Sequence, residues 1–160
     1  MTKRASNALE KLYTAFYEGR LHPACCTACA VGNICDASDI WKHFTDAHGS
    51  QKLTYVGSVN ETFKKRINGY LPSELLAIEA TFLRGCGYEI PIRRGSLKPT
   101  HPQSEEVLFN GLKAVVHYIC ELDGISDVME ISDTFLERLL SVCDKRSIKP
   151  SVPISYMETN

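Results

Sequence analysis

The chain has 160 residues, of which 44% are hydrophobic and 23% are charged, a balance typical of a folded globular protein rather than a disordered or fibrous one. Its 18 lysines and arginines nearly balance its 19 aspartates and glutamates, so no overall charge would attract nucleic acid or an anionic membrane. Any such partner would need a local charged patch.

The apolar stretches of the chain indicate whether the protein is secreted or spans a membrane. The N-terminal sequence MTKRASNALEKLYTAF carries a charge every few positions and lacks the apolar core of a secretory signal. The most apolar window, residues 111–122, is interrupted by Lys113, His117 and Glu121. We therefore expect a cytoplasmic protein that does not span a membrane and does not bind nucleic acid. A protein partner is possible, and the sequence does not indicate the oligomeric state.

The first third of the chain predicts a helix, a loop and a second, shorter helix. Apolar residues at helical spacing, closed by Gly19, indicate a helix over residues 6–18. Residues 21–37 consist largely of small residues and cysteines, which is typical of a compact loop or of broken helical turns. A short helix is expected over residues 38–48, with an inward face made of Ile40, Trp41, Phe44 and Ala47.

The rest of the chain predicts one ambiguous stretch and further helices. Residues 52–59 alternate weakly between apolar and polar residues, so a short strand or an extended loop is expected there. A proline-rich segment, residues 90–103, is typical of an exposed loop. Three segments have the apolar periodicity of helices: residues 73–84, 104–123 and 132–144.

These segments together predict an all-α fold. The expected architecture is a compact bundle of about five helices with a cysteine-rich loop and at most one short β element. We expect one domain over residues 1–145, followed by a loosely held tail, residues 146–160.

Seven cysteines are many for this length, and in a reducing compartment they favour metal binding or burial over disulfides. Cys26, Cys29, His43 and His48 form the pattern C-x2-C-x13-H-x4-H, which matches the spacing of a zinc site with two thiolates and two imidazoles. On an ideal helix, two side chains five positions apart point about 140° away from each other, so both histidines reach one ion only if the helix is distorted. Cys25 or His22 could replace any of the four ligands.

Three alternatives to this zinc site stay open. The set Cys26, Cys29, Cys35 and Cys86 would suit an iron–sulfur cluster. The thiols of Cys26 and Cys29 could instead form a redox-active pair. Finally, all the thiols could be buried apolar side chains, as Cys120 and Cys143 are expected to be on their apolar helix faces.

The cysteine-rich segment resembles a Cys2His2 zinc finger in its four candidate ligands and in Ile40, three residues before His43. It lacks the core aromatic residue and the basic recognition helix of that family, so the resemblance implies metal ligation and not DNA binding.

Two further sites are weaker candidates, and no motif identifies an enzyme class. Glu79 shares a helix face with Leu75 and Phe82, which could bury its carboxylate, although such a residue is more often paired or reaches solvent. His117 and Glu121 are four residues apart, which a surface pair explains as well as a functional one.

Five segments distributed over residues 9–129 resemble a family of small bacterial proteins: CAVGN at 29–33, WKH at 41–43, HGS at 48–50, NGYLPSELLAIEATFLRGCGY at 68–88 and LFNGL at 108–112. Members of that family are often described as the F subunit of Na+-translocating NADH:quinone reductase. The resemblance implies a redox neighbourhood, but the ferredoxin, flavin, NADH and membrane motifs of the genuine reductase component have no counterpart in these residues.

Overall fold

The computed structural model describes residues 2–125. Its helices are α1 (Lys3–Tyr17), α2 (Ala30–Ile34), a 3-10 helix (Ile40–Phe44), α3 (Tyr55–Thr62), α4 (Pro72–Cys86) and α5 (Glu105–Leu122). Strand-like pairing in this part of the chain is limited to an isolated bridge between Ile67 and Tyr70, so the predicted all-α class is confirmed. No helix of the described residues is both long and apolar enough to cross a membrane. The helix predicted over residues 132–144, the tail 146–160 and Cys143 lie outside the described residues.

The core is built around α4 and α5, which approach each other closely because two glycines lie in their contact. A Cβ atom placed on Gly85 would lie 2.7 Å from the Cβ of Ala114, and one on Gly111 would lie 2.9 Å from the ring of Phe82 and still closer to the sulfur of Cys86. Helices without side chains at the contact can approach closely and bury their neighbouring apolar residues against each other. Cys120 of α5 is also fully buried, as predicted.

One arginine at the start of α1 joins the ends of α4 and α5. The guanidinium of Arg4 donates to Asp123 at 2.6 and 2.9 Å, to Glu74 at 3.0 Å and to the carbonyl of Gly69 at 2.9 Å. It also lies over the ring of Tyr70, 4.6 Å from the centroid. A planar group with several donors can satisfy partners from three segments at once, so this end of the bundle is fixed around a single side chain.

The sequence-based interpretation of residues 52–59 as a strand or extended loop is wrong from Tyr55 onward, where α3 begins. The hydroxyl of Thr54 accepts from the amide of Gly57 at 3.1 Å and donates to the carbonyl of His43 at 2.7 Å. A threonine whose side chain accepts from the third amide after it is a helix N-cap. The cap therefore starts a helix where apolar alternation alone favoured a strand.

The helix predicted over residues 38–48 is shorter and tighter than expected. It is a 3-10 helix that ends at Phe44, after which Thr45 is extended with φ −142° and ψ 159°. Trp41 and Phe44 are buried as predicted, whereas Ile40 is exposed rather than inward-facing. The chain leaves helical geometry before it reaches His48.

We predict that Gly111→Ala lowers the free energy of unfolding by about 1–3 kcal/mol, because the new methyl group overpacks the α4–α5 contact. The direction of this change is informative, because replacing glycine by alanine within a helix otherwise raises the free energy of unfolding by about 1 kcal/mol. Asn110→Ala, at the exposed neighbouring position, is the control and should change stability by less than about 1 kcal/mol. Urea unfolding measures both, and a stabilised Gly111→Ala variant would contradict the close approach.

Candidate metal centre

The cysteine-rich loop is held in one conformation by hydrogen bonds to its backbone. The side-chain amide of Asn33 donates to the carbonyls of Ala28 and Cys29, both at 2.9 Å. The indole of Trp41 donates to the carbonyl of Cys26 at 2.9 Å. Gly32 packs so tightly against the backbone of Cys26 that no side chain would fit there. The loop therefore presents its side chains in defined directions before any ligand binds.

Cys29 is the N-cap of α2 and is fully buried. Its sulfur accepts from the amide of Gly32 at 3.3 Å and lies 3.6 Å from the carbonyl oxygen of Cys26. Burial raises the pKa of the Cys29 thiol well above its usual value, and the nearby negative charge of Glu79 raises it further. Without a cation beside it, Cys29 is a protonated thiol.

His48 reaches the same interior from the loop after the 3-10 helix. Its carbonyl accepts from the amide of Ile92 at 2.8 Å, and its ring lies 5.3 Å from the ring of Trp41. Gly49, with φ +92°, lets the chain turn where a Cβ would press against Ile90 and Leu83. These contacts direct the imidazole inward, although its side chain remains 13% exposed.

Glu79, in the middle of α4, is 1% exposed and completes the arrangement. One carboxylate oxygen accepts from the amide of Val31 in α2 at 3.2 Å, and the other lies 2.5 Å from Nε2 of His48. A buried carboxylate is costly unless it is paired and hydrogen-bonded. Both of its oxygens meet that requirement, so Glu79 joins α4 to α2 and to the His48 loop.

Cys29, His48 and Glu79 bring one potential metal-ligating atom each to within 4.8 Å of one another. Ligand atoms around a tetrahedral zinc ion are separated by roughly 3.3–3.8 Å, which follows from bond lengths of about 2.0–2.3 Å. The three side chains are therefore close enough together that they could hold a metal ion. Among residues 2–125 this is the one group of three or more such side chains found at this separation.

Two of the four predicted zinc ligands, Cys29 and His48, belong to this cluster, whereas Cys26 and His43 do not. Cys26, His43 and His48 line an adjoining groove of about 320 Å³ together with Trp41, Lys42 and Thr45. The His43 side chain is exposed on the 3-10 helix. The extended conformation of Thr45 carries His48 inward and leaves His43 at the surface.

The remaining candidates are spread over other parts of the structure. Cys35 and Cys86 are buried outside the cluster, and burial raises the pKa of each thiol to about 12. Cys25 and His22 line a separate cleft of about 400 Å³ between the end of α1 and the start of α5. Hydrogen bonds with Thr27 lower the pKa of Cys25. His117 and Glu121 form an exposed pair with a separation of 3.4 Å, as a surface interpretation predicts.

The three side chains also resemble the nucleophile, base and orienting acid of a cysteine hydrolase. That chemistry requires a thiolate that a substrate can reach. Cys29 is inaccessible and its pKa is raised, whereas a bound cation would stabilise its thiolate, accept the carboxylate charge of Glu79 and use the imidazole of His48. Metal ligation is therefore the chemistry that this geometry supports.

Sequence spacing does not identify Glu79 as a member of the site. Its position between Leu75 and Phe82 on an apolar helix face indicated that the carboxylate could be buried. The structure shows that it is buried. The partner that makes this burial useful, His48, is 31 residues away.

Comparison of the chain with protein-family models, curated proteins and solved structures gives no match. The assignment of a function therefore rests on the site itself.

We predict that Cys25 reacts with a thiol reagent before the buried cysteines do, because it is accessible and its lowered pKa increases the thiolate fraction near neutral pH. Kinetics with a disulfide reagent at about pH 7.5, in a Cys143→Ser background, should show one fast phase that Cys25→Ser abolishes. Cys120→Ser is the control and should leave the fast phase intact. A fast phase that survives Cys25→Ser would contradict the assignment.

Proposed function

We propose that the protein binds one zinc ion at the cluster of Cys29, His48 and Glu79, and that the ion has a structural role. The observation that supports this proposal most strongly is the buried Glu79 carboxylate, shared between His48 and α2 within 4.8 Å of a buried thiol. Sulfur, imidazole nitrogen and carboxylate oxygen are all ligands that zinc accepts.

Cys26 is the best-placed fourth ligand. It lines the groove beside His48, and the charges of Glu79 and Lys42 both act on its thiol. Structural zinc sites are usually four-coordinate, whereas three protein ligands leave a position for water. Rotation of the Cys26 side chain would close the site and combine the predicted C-x2-C pair with the observed carboxylate.

The ion would join three segments that are distant in sequence. Cys29 begins α2, His48 follows the 3-10 helix, and Glu79 lies in the middle of α4. An ion that binds only the folded state raises the free energy of unfolding. The increase grows with the logarithm of the ratio of the free ion concentration to the dissociation constant. An accessory or scaffolding role follows more directly from this geometry than a catalytic one.

We expect the purified protein to contain about one zinc ion per chain, measured by elemental analysis. Cys29→Ala and His48→Gln should each lower zinc affinity roughly 100-fold or more, and Glu79→Gln should lower it at least tenfold, since each removes a ligand. Competition with a chromophoric chelator measures these affinities, and chelation of the ion should lower the Tm.

Further substitutions test which histidine and which cysteines belong to the site. His43→Gln and Cys35→Ser alter residues outside the cluster and should leave zinc affinity unchanged. Cys26→Ser should cause a smaller loss than Cys29→Ala, because water can occupy the fourth position. If zinc affinity depends on His43 and not on Glu79, the ligand set proposed here is wrong, and the C-x2-C-x13-H-x4-H set is the correct one.

Zinc affinity should fall as the pH falls, because burial and Glu79 raise the pKa of Cys29 and the bound ion must displace its proton. If zinc binding releases one proton, from the Cys29 thiol, the apparent affinity decreases about tenfold for each pH unit by which the pH is lowered. Chelator competition across roughly pH 6–8 measures the slope. An affinity independent of pH would show that Cys29 does not bind zinc as a thiolate.

A redox role beside an NADH:quinone oxidoreductase is the second candidate, in line with the resemblance to proteins described as a component of that enzyme. The supporting observation is that Cys26 precedes the helix N-cap Cys29 by three residues, as in redox-active C-x-x-C motifs. Burial raises the pKa of both thiols, which disfavours rapid exchange. Iron in the purified protein, together with visible absorption, would favour a cluster instead of zinc.

A further inference from the structure

The short helix α3 is oriented with its smallest residue toward the protein. Gly57 is its buried residue, and a Cβ atom there would lie 2.6 Å from the carbonyl oxygen of Phe44. The backbone of α3 therefore packs directly against the end of the 3-10 helix. Side chains on the opposite side of α3 must point away from the core.

This outward side of α3 is apolar. Tyr55 is 85% exposed, Phe63 is 73% exposed and Val56 is 49% exposed. With about 100° between successive residues of a helix, these three and Val59 fall within an arc of about 100°. A helix that covers a core normally turns such an arc inward, so α3 is inverted relative to the usual arrangement.

Basic side chains border the apolar arc at both ends. Lys64, Lys65 and Arg66 follow Phe63 directly and are exposed, and Lys52 is exposed just before α3. Arg66 also lies 3.5 Å from the carboxylate of Glu74, so the three lysines carry most of the positive charge. The acidic residue of α3, Glu61, is engaged by the amide and hydroxyl of Ser73 at 2.9 and 2.7 Å. In a chain of net charge −1, this is a local positive patch. We name Tyr55, Val56, Val59, Phe63 and the four basic residues the α3 patch.

We propose that the α3 patch binds reversibly to the surface of a membrane that contains anionic lipids. Aromatic and aliphatic side chains enter the boundary between headgroups and acyl chains, while the lysines remain at the level of the phosphates. Positive charge close to such a surface adds an electrostatic attraction that falls with ionic strength. Both requirements are met here, because α3 provides the apolar arc and the residues next to its two ends provide the cations.

The size of the patch favours a lipid surface over a protein partner. A stable protein interface commonly involves about 20–30 residues on each side, whereas this patch consists of eight. A smaller patch can attach reversibly to lipid, because the insertion of side chains and the charge attraction add together. The proposal does not depend on the metal centre, which is built from other residues.

The test uses the full chain and vesicles of phosphatidylcholine with or without phosphatidylserine. We expect cosedimentation with the anionic vesicles at low salt, weaker binding at physiological salt and little binding to phosphatidylcholine alone. Absence of binding to anionic vesicles at low salt would overturn the proposal. Binding that is equal for both vesicle types and insensitive to salt would also overturn it.

Two double variants separate the apolar and the electrostatic contributions. Tyr55→Ser/Phe63→Ser should abolish insertion, and Lys64→Gln/Lys65→Gln should lower the partition coefficient roughly tenfold or more. Leu97→Ser/Lys98→Gln is the matched control, since it removes one exposed apolar and one exposed basic residue elsewhere. Unchanged far-ultraviolet circular dichroism and an unchanged Tm of the variants verify their fold. If the serine variant instead changes the oligomeric state and leaves vesicle binding unaltered, the patch is a protein interface and the proposal fails.

Discussion

The buried carboxylate of Glu79 is the interaction on which the candidate centre depends. It lies in the middle of α4, accepts from the amide of Val31 and contacts the imidazole of His48, so it fixes three segments at one point. Because the carboxylate is buried, loss of either hydrogen-bonding partner would leave one of its oxygens unsatisfied, which costs about 1–3 kcal/mol. The conformation of the cysteine-rich loop and of the chain around His48 is therefore tied to α4. A bound cation would balance the negative charge that this arrangement concentrates.

The helices that could be predicted from sequence are those whose apolar faces turn toward the core. The periodicity of α1, α4 and α5 reports this burial directly, and their observed ends agree with the prediction within a few residues. Helix α3 escaped detection because the alternating stretch 52–59 includes the non-helical residues before the helix and Gly57, so its first residues show no helical period. The N-cap Thr54 and the four-residue spacing of Tyr55, Val59 and Phe63 were the signals that favoured a helix.

The candidate site was predictable only where its residues are close in sequence. The C-x2-C spacing and the nearby histidines indicated Cys29 and His48, since short loops bring such residues together regardless of the rest of the fold. Glu79 could not be identified in the same way, because its approach to α2 depends on how α4 packs in three dimensions. The choice between His43 and His48 depended on where the 3-10 helix ends. Its end at Phe44 and the extended Thr45 separate the two imidazoles.

The 3-10 helix lies between the candidate metal centre and the α3 patch. Trp41 contacts the ring of His48 and donates to the carbonyl of Cys26, so one side of this helix lies against the centre. Its last residue, Phe44, accepts from the amide of Thr54 at 2.8 Å and contacts Gly57, so the other side supports α3. Protein interiors are close-packed, so neighbouring elements are in direct contact and constrain one another. The 3-10 helix therefore fixes the position of α3 on one side and packs against the His48 ring on the other, so the candidate centre and the support of α3 share one element.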